Sequence, residues 1–460
     1  DTDTPVSLLK KFQGNGKPVF LLESVDGGEK WGRYSFLGIS ARCHLKVYPD
    51  TVLIQENGDK RQVAHHNDPL EVLKGYLDQY KTPVMADLPR FWGGLVGYLT
   101  YEMVSFFEAI PVRHSEDRPL AHFILPDELV IFDNIRHTLI CLVLGFAKDY
   151  PEPDQVFEAA SRRIHTLLET IRQPLPEREE PAAEKGYRLV VRPDAGAYHP
   201  KVATTKAHIQ QGDIIQAVIS QPFTCSSPPD PWRLYRAQRY VNPSPYLYFM
   251  EYDGMTLVGS SPETMVRLEN GVATLRPIAG TRPRGETPRQ DRMLADELLK
   301  DEKERAEHLM LVDLGRNDLG RVAETGSVQV TDLMIIERYS HVMHMVSNIN
   351  CDLKKLYTAW DLLKAAFPAG TLTGAPKVRA MEIIADLEHG ARGPYGGAVG
   401  YISFSGNLDM AITIRTACIQ DGELTVRAGA GIVADSDPET EHQETINKAM
   451  AIQKALELIQ

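Results

Sequence analysis

Apolar positions with helical spacing stand out at Pro153–Ile171, where Val156, Ala159, Ala160, Ile164, Leu167, Leu168 and Ile171 share one face. The same kind of pattern predicts helices near Pro69–Tyr80 and over Tyr198–Gln211, the latter stopped by Gly212–Asp213. Two longer helices are predicted at Arg289–Leu311 and Glu439–Leu458. Short β-rich runs predict strands at Lys17–Leu22, Arg42–Tyr48, Glu128–Phe132, Ile214–Phe223, Thr256–Gly259, Val399–Phe404, Asp409–Ile419 and Glu423–Arg427. The apolar run Thr138–Ala147 is too short to span a bilayer, which takes ~20 residues, and reads as a buried strand. Strands separated by helices without a regular βαβ rhythm favour an α/β or α+β sandwich over a doubly wound sheet.

One stretch breaks the pattern. Gln173–Gly186 is rich in proline and charge and reads as an exposed linker. It divides an N-terminal region, residues 1–172, from a motif-rich region, residues 187–460. The 460 residues are 43% hydrophobic and 24% charged, as in ordinary globular proteins. A formal net charge of −12 argues against nucleic acid as the main partner, because duplex binding rests on neutralising phosphates. Nothing at the start reads as a signal peptide, and a first residue of Asp1 reads as a processed end. Five scattered cysteines with no CxxC pairing fit a reducing cytoplasm. None occupies a glycine-flanked elbow of the kind glutamine-hydrolysing cysteines use.

Candidate chemistry crowds into the second region. Glu304 and Glu307 lie three apart on a predicted helix, and Glu441 and Glu444 repeat the spacing on the last one. Such pairs are either solvated helix-face acids or ligands for a hard divalent cation, which needs one or two carboxylates. Gly429–Ile432 (GAGI) is too short for a dinucleotide fingerprint; it is a tight turn or a backbone that lets an anion approach its amides. Arg415 sits among apolar neighbours, where it needs either a structural salt bridge or a bound carboxylate. His344, with His341 as its competitor, is a hydrogen-bonded core residue or a proton carrier.

In order, the segments read GSSPET (259–264), RPIAGTRPRG (276–285), ERAEHLMLVDLGRNDLGR (304–321), HVMH (341–344), FPAGTLTGAPKVRA (367–380), RGPYGGAVGY (392–401), ITIRT (412–416), RAGAGIVADSDPE (427–439) and EHQETINKA (441–449). Together they resemble the chorismate-utilising enzymes, and within them the large components of anthranilate synthases. That resemblance implies a layered sandwich of two β-sheets flanked by helices. It implies Mg²⁺ held by Glu307 and Glu444, with Glu441 and Glu304 assisting, in part through water. Arg415 and Tyr395 would grip chorismate, Gly280, Thr281 and Thr371 would line the same pocket, and Gly429, Ala430 and Gly431 would bind a substrate carboxylate. Glu263 would act as general acid on the departing ring hydroxyl, and His344 would assist proton removal.

Two positions separate branches of this family. Water-adding relatives carry Lys where this chain has Gln216, since water needs activation and ammonia does not. Aminodeoxychorismate synthases, the main alternative, usually read PIKGT with a nucleophilic Lys; here Ala279 stands in that place. The implied reaction is chorismate plus ammonia to anthranilate plus pyruvate. Lacking a glutaminase cysteine, the chain would take ammonia from a glutamine amidotransferase subunit. In the N-terminal region, Leu21–Ser24 and Trp31–Phe36, with Asn242–Tyr246, resemble the family's tryptophan feedback site, with Ser24, Pro245, Tyr246 and Leu247 as its contacts. Leu247 replaces a Met found in many relatives, a volume-conserving swap expected to tune inhibition.

Overall fold

The computed structural model describes residues 3–14, 16–24, 32–83, 85, 87–114, 117–175, 186–191, 195–339 and 342–459. Trp31, His341 and most of the 173–186 segment lie outside the described residues.

Two antiparallel sheets stack face to face. One runs in spatial order Gln216–Cys225, Glu423–Ile432, Thr416–Gln420, Met255–Ser261, Tyr246–Tyr252, Val19–Glu23 and the first part of Tyr34–Val47. The other runs Thr51–Glu56, the last part of Tyr34–Val47, Ala121–Asp133, Gly94–Leu99, Ala398–Ser403, Leu408–Ile412, Thr264–Glu269, Val272–Leu275 and Val342–Asp352. The long strands Tyr34–Val47 and Ala121–Asp133 pair along their length, with register shifts between Gly38 and Cys43. Bulges of this kind bend a strand, and here they carry both strands from one sheet into the other. Residues on both sides of the 173–186 segment share each sheet: Val19–Glu23 pairs with Tyr246–Tyr252, and Gly94–Leu99 with Ala398–Ser403.

Strand alternation sorts the core into layers. Between the sheets, Phe20, Tyr248 and Leu257 of one meet Val96, Tyr98, Val399 and Tyr401 of the other. Outside the first sheet, Leu21, Leu247, Phe249 and Val426 pack under the helices Pro5–Phe12, Pro231–Val241 and Pro438–Glu457. Outside the second, Phe123, Leu268, Ile349 and Met410 pack under Pro69–Leu77, Glu302–Gly320 and Ala359–Ala366. The result is the expected two-sheet sandwich with helices on both faces. Among the described residues no helix is long and apolar enough to cross a membrane.

Three elements differ from expectation. The single helix predicted at Arg289–Leu311 is two, Pro288–Lys300 and Glu302–Gly320. The Asp301 carboxylate accepts from the N–H groups of Lys303 and Glu304, so it caps a new helix where periodicity alone reads through. The predicted strand Asp409–Ile419 is broken into Leu408–Ile412 and Thr416–Gln420, with Arg415 between them at φ +49°. The run at Thr138–Ala147 yields only Thr138–Val143, which pairs with Ala121–Asp133 and leaves Leu139 exposed.

Candidate active site

A cavity of about 530 Å³ opens where strands of both sheets meet the helices Glu302–Gly320 and Pro438–Glu457. On the first helix, Glu304, Glu307 and Leu311 recur with helical spacing and line it. The second helix starts at Asp437, whose carboxylate accepts from the Thr440 N–H, and this start aims Glu441, Glu444 and Lys448 at the same space. The adjoining face of the helix buries Thr445, Ala449 and Ile452. Burial raises the Glu307 carboxyl, and the charges of Glu304 and Glu444 raise it further. Burial and the charge of Glu444 likewise raise Glu441, against a Ser436 hydrogen bond. Acids that raise one another are relieved by a cation, and an all-oxygen donor set fits a hard divalent ion. They share the cavity rather than forming a tight shell: Glu444 bonds Lys448 at 2.7 Å, and Glu304 meets Arg282 at 3.3 Å.

Across the cavity stands Glu263, in the turn between Met255–Ser261 and Thr264–Glu269. Burial pushes its carboxyl up to about 8, against the Thr371 hydroxyl and the charges of Arg415 and Lys448. It is therefore mostly protonated at neutral pH, the state a general acid needs. Arg415 is largely buried and its Nη1 reaches only Asn242 Oδ1, at 3.4 Å. Among the described residues no carboxylate lies within ion-pair distance of it. A guanidinium so placed lacks the counter-charge that normally offsets desolvation, and its fork matches a carboxylate from a ligand.

His344 lies on Val342–Asp352 opposite Thr281. The register shifts between Ala279 and Thr281, and Gly280 takes up the extra residue at φ +67°. A Cβ there would also sit 2.8 Å from Leu298 Cδ1. The bulge aims the Gly280 carbonyl and the Thr281 hydroxyl at one imidazole nitrogen: His344 Nδ1 is 3.3 Å from the first and 3.0 Å from the second. Burial lowers the His344 pKa, against the Gly280 hydrogen bond that raises it. A neutral imidazole held at Nδ1 leaves Nε2 as the basic atom.

The GAG segment is not a turn. Gly429–Gly431 continues the strand Glu423–Ile432, with Gly429 opposite Ser220 and Gly431 opposite Val218. Ser220 N–H donates instead to Glu388, and Val218 N–H to Thr373. Gly429 and Gly431 therefore turn their polar groups to the strand's other edge, where Lys448 takes the Gly429 carbonyl at 2.8 Å. Both glycines line the cavity, and a Cβ would approach the Tyr395 hydroxyl to 2.7 Å at Gly429 and the Gln216 amide to 2.5 Å at Gly431. Ala430 does not belong with them. It alternates to the far face and is fully buried with Tyr198, Val202 and Ile219. Thr371, Tyr395, Gln216 and Ala279 also line the cavity.

Several contributors escaped the sequence reading. Lys448 and Arg427 line the cavity. Beneath it, Glu388 accepts from Arg392 Nη2 at 2.8 Å, Arg427 Nη2 at 2.9 Å and the Ser220 N–H at 2.7 Å. The two guanidinium groups hold its carboxyl at about 2 despite complete burial. Arg392 also donates to the carbonyls of Leu372 and Val218, so one buried network fixes the backbone behind Thr371 and Tyr395. Only the motif RGPY hinted at it.

A second, smaller pocket of about 40 Å³ lies between the sheets and is lined by Glu23, Ser24, Pro245, Tyr246 and Tyr248, among others. Tyr246 donates to Asp409 at 2.8 Å, and Arg90 pairs with the same carboxylate. Leu247 borders this pocket, but its side chain packs on the helix side of the sheet beside Phe249.

Residues 18–454 match the family described as chorismate binding enzyme. The chain is similar to the anthranilate synthase component 1 of Aquifex aeolicus (strain VF5), 47% identical over 466 residues, covering 100% of this chain and 93% of that one. It is also 47% identical over 472 residues to the protein of the same name from Pseudomonas putida, covering 100% and 94%. Among solved structures, the anthranilate synthase component I from Streptococcus pneumoniae TIGR4 superposes with a TM-score of 0.82 at 36% identity, over 93% of this chain and 95% of that one. The menaquinone-specific isochorismate synthase MenF from Escherichia coli shares the fold, with a TM-score of 0.76 at 21% identity over 99% and 92%.

Proposed function

This chain belongs to the chorismate-binding enzyme family, and we propose that it is the large component of an anthranilate synthase, a lyase of tryptophan biosynthesis that turns chorismate and ammonia into anthranilate, pyruvate and water. The observation that carries this reading is the company Glu263 keeps. The same cavity presents Gln216, where water-adding relatives carry Lys, and Ala279, where aminodeoxychorismate synthases carry a nucleophilic Lys. Neither residue activates water or attacks the ring, so a nucleophile that needs no activation fits best. Relatives at 42–47% identity over essentially the whole chain carry the same name.

The residues divide the work as follows. Arg415 binds a substrate carboxylate with its fork, and Tyr395 lines the same cavity to grip the substrate. The exposed N–H edge at Gly429 and Gly431 holds a second anionic group. Glu263 delivers its proton to the ring hydroxyl as ammonia adds at the carbon ortho to the carboxylate, and the hydroxyl leaves as water. His344 then takes the proton from that carbon, the ring C–O bond breaks as the ring becomes aromatic, and the departing enolpyruvate takes up a proton at its methylene carbon to become pyruvate. Glu307 and Glu444, with Glu441 assisting, would hold Mg²⁺; bound there, it supplies electrophilic pull on the ring carboxylate.

Ammonia comes from a separate glutamine amidotransferase subunit in this reading, and the complex works in the cytoplasm. Tryptophan inhibits from the pocket of Ser24, Pro245 and Tyr246, which must widen to admit an indole. The direct test is anthranilate formation by the purified chain from chorismate, Mg²⁺ and an ammonium salt.

A further inference from the structure

Two imidazoles at the start of neighbouring helices have no role in the reaction above. His199 is the second residue of Tyr198–Gln210, and His442 opens the second turn of Pro438–Glu457. Together with Glu439, each brings a ligating atom within 4.8 Å of the other two. The rings meet edge to face, with centroids 5.7 Å apart. The Nε2 atoms of His199 and His442 are both shielded from water, and among the described residues neither makes a hydrogen bond. Glu439 Oε2 stands 3.3 Å from His199 Nε2. His442 is only 6% exposed.

A buried polar atom normally finds a partner, because leaving it unsatisfied costs stability. Two such atoms beside one carboxylate are explained together by a single ion. A contrasting group, His44, His122 and Asp253, has the same residue types but is already satisfied: His44 Nδ1 meets His122 Nε2 at 3.0 Å, and Lys46 holds Asp253 at 2.6 Å. No lysine or arginine is paired with Glu439 among the described residues.

We infer that His199, Glu439 and His442 form a second metal site, selective for a borderline ion such as Zn²⁺. Neutral imidazole nitrogens suit Zn²⁺, Co²⁺ or Ni²⁺ and do not suit Mg²⁺, whereas the cavity acids are all oxygen. Three protein ligands leave one position for water. Glu439 is exposed and swings without disturbing packing, so it closes the ligand set at ordinary metal–ligand lengths. The positive ends of the two helices weakly oppose a cation, and the Glu439 charge offsets them. An ion here ties together two helices that share a contact surface, and one of them carries Glu441 and Glu444 on another face. The site is thus a clip on the helix that presents the cavity acids.

Co²⁺ is the suitable probe, because its visible absorption reports nitrogen ligands. The full-length chain is titrated with Co²⁺ and then Zn²⁺ in excess Mg²⁺, and thermal unfolding is followed in parallel. The expected result is one equivalent of Co²⁺ with a ligand-field band, displaced by Zn²⁺, and a higher unfolding temperature with Zn²⁺. His199→Gln and His442→Gln should each weaken binding by more than the roughly 10–100-fold that loss of a supporting partner costs. Glu307→Gln should bind Co²⁺ as wild type does. His199 is half-exposed, so its variant keeps the test open if His442→Gln fails to fold. No stoichiometric binding by wild type, or binding lost in Glu307→Gln and kept in His199→Gln, would overturn the proposal.

Discussion

His344 Nδ1 lies 3.0 Å from the hydroxyl of Thr281, on a strand bulged at Gly280, so the imidazole is held by one nitrogen and offers the other. If Nε2 serves only proton removal from the aminated ring, His344→Met should still consume chorismate and should accumulate aminodeoxyisochorismate. Mass spectrometry of the quenched reaction reads this. Loss of both chorismate consumption and the intermediate would assign His344 to structure or to the first step.

Glu263 sets a pH limit. With a carboxyl held near 8 by burial, it is protonated below that pH and loses its proton above it. Expressed per concentration of neutral ammonia, kcat/KM should be flat below about 8 and fall above it. Glu263→Gln should lose the break along with ~10²–10⁴-fold of rate, the usual worth of general acid catalysis. Linkage gives an independent sign. A carboxyl whose pKa is raised by folding binds more protons in the native state, so its term lowers stability as pH rises from its ordinary value of 4.5 toward 8. That slope should flatten in Glu263→Gln; a rate profile and a stability slope both unchanged by the substitution would remove Glu263 from the acid's role.

The cavity acids predict metal dependence. Glu307→Gln and Glu444→Gln keep the shape and remove an anionic ligand. Each should cost at least ~100-fold in turnover, about 2.7 kcal/mol of transition-state stabilisation. Chelation should abolish activity and Mg²⁺ should restore it. Near-wild-type turnover of either variant at limiting Mg²⁺ contradicts the assignment.

The inter-sheet pocket predicts allostery. Ser24 and Tyr246 line it from opposite halves of the sequence, and the catalytic cavity has a separate lining. Tryptophan can act from there only by binding two states of the protein unequally, so chorismate must weaken tryptophan binding by the factor that tryptophan weakens chorismate binding. Ser24→Phe should fill the pocket and relieve inhibition with uninhibited turnover largely intact. Identical tryptophan titrations of wild type and variant would locate the effector elsewhere.

Much of this site was legible because its residues sit in local motifs whose spacing sets a common face. Glu304 and Glu307 on one helix, and Glu441 and Glu444 on another, needed only helical geometry and the family resemblance. What was not legible depends on partners distant in sequence. Ala430 turns into the core because strand alternation places Gly429 and Gly431 on the cavity side, which the tight-turn reading could not register. Arg415 is at a bend rather than on a strand, because the chain leaves one sheet at Ile412 and enters the other at Thr416. Glu388 looks like a helix-end surface acid until Arg427 and Ser220, on two other strands, join the nearby Arg392 around it. Asp301 stops one helix and starts another, which apolar periodicity does not mark.

The central claim is that this cavity adds ammonia to chorismate at the position ortho to the carboxylate. The most direct measurement is product identity. The purified chain is incubated with chorismate, Mg²⁺ and an ammonium salt, and separately with glutamine, and products are resolved by fluorescence and mass. The account predicts anthranilate and pyruvate in equal amounts from the ammonium reaction, rising with the neutral ammonia fraction, and none from glutamine without a partner subunit. Isochorismate or aminodeoxychorismate as the product, or anthranilate from glutamine with the chain alone, would contradict it.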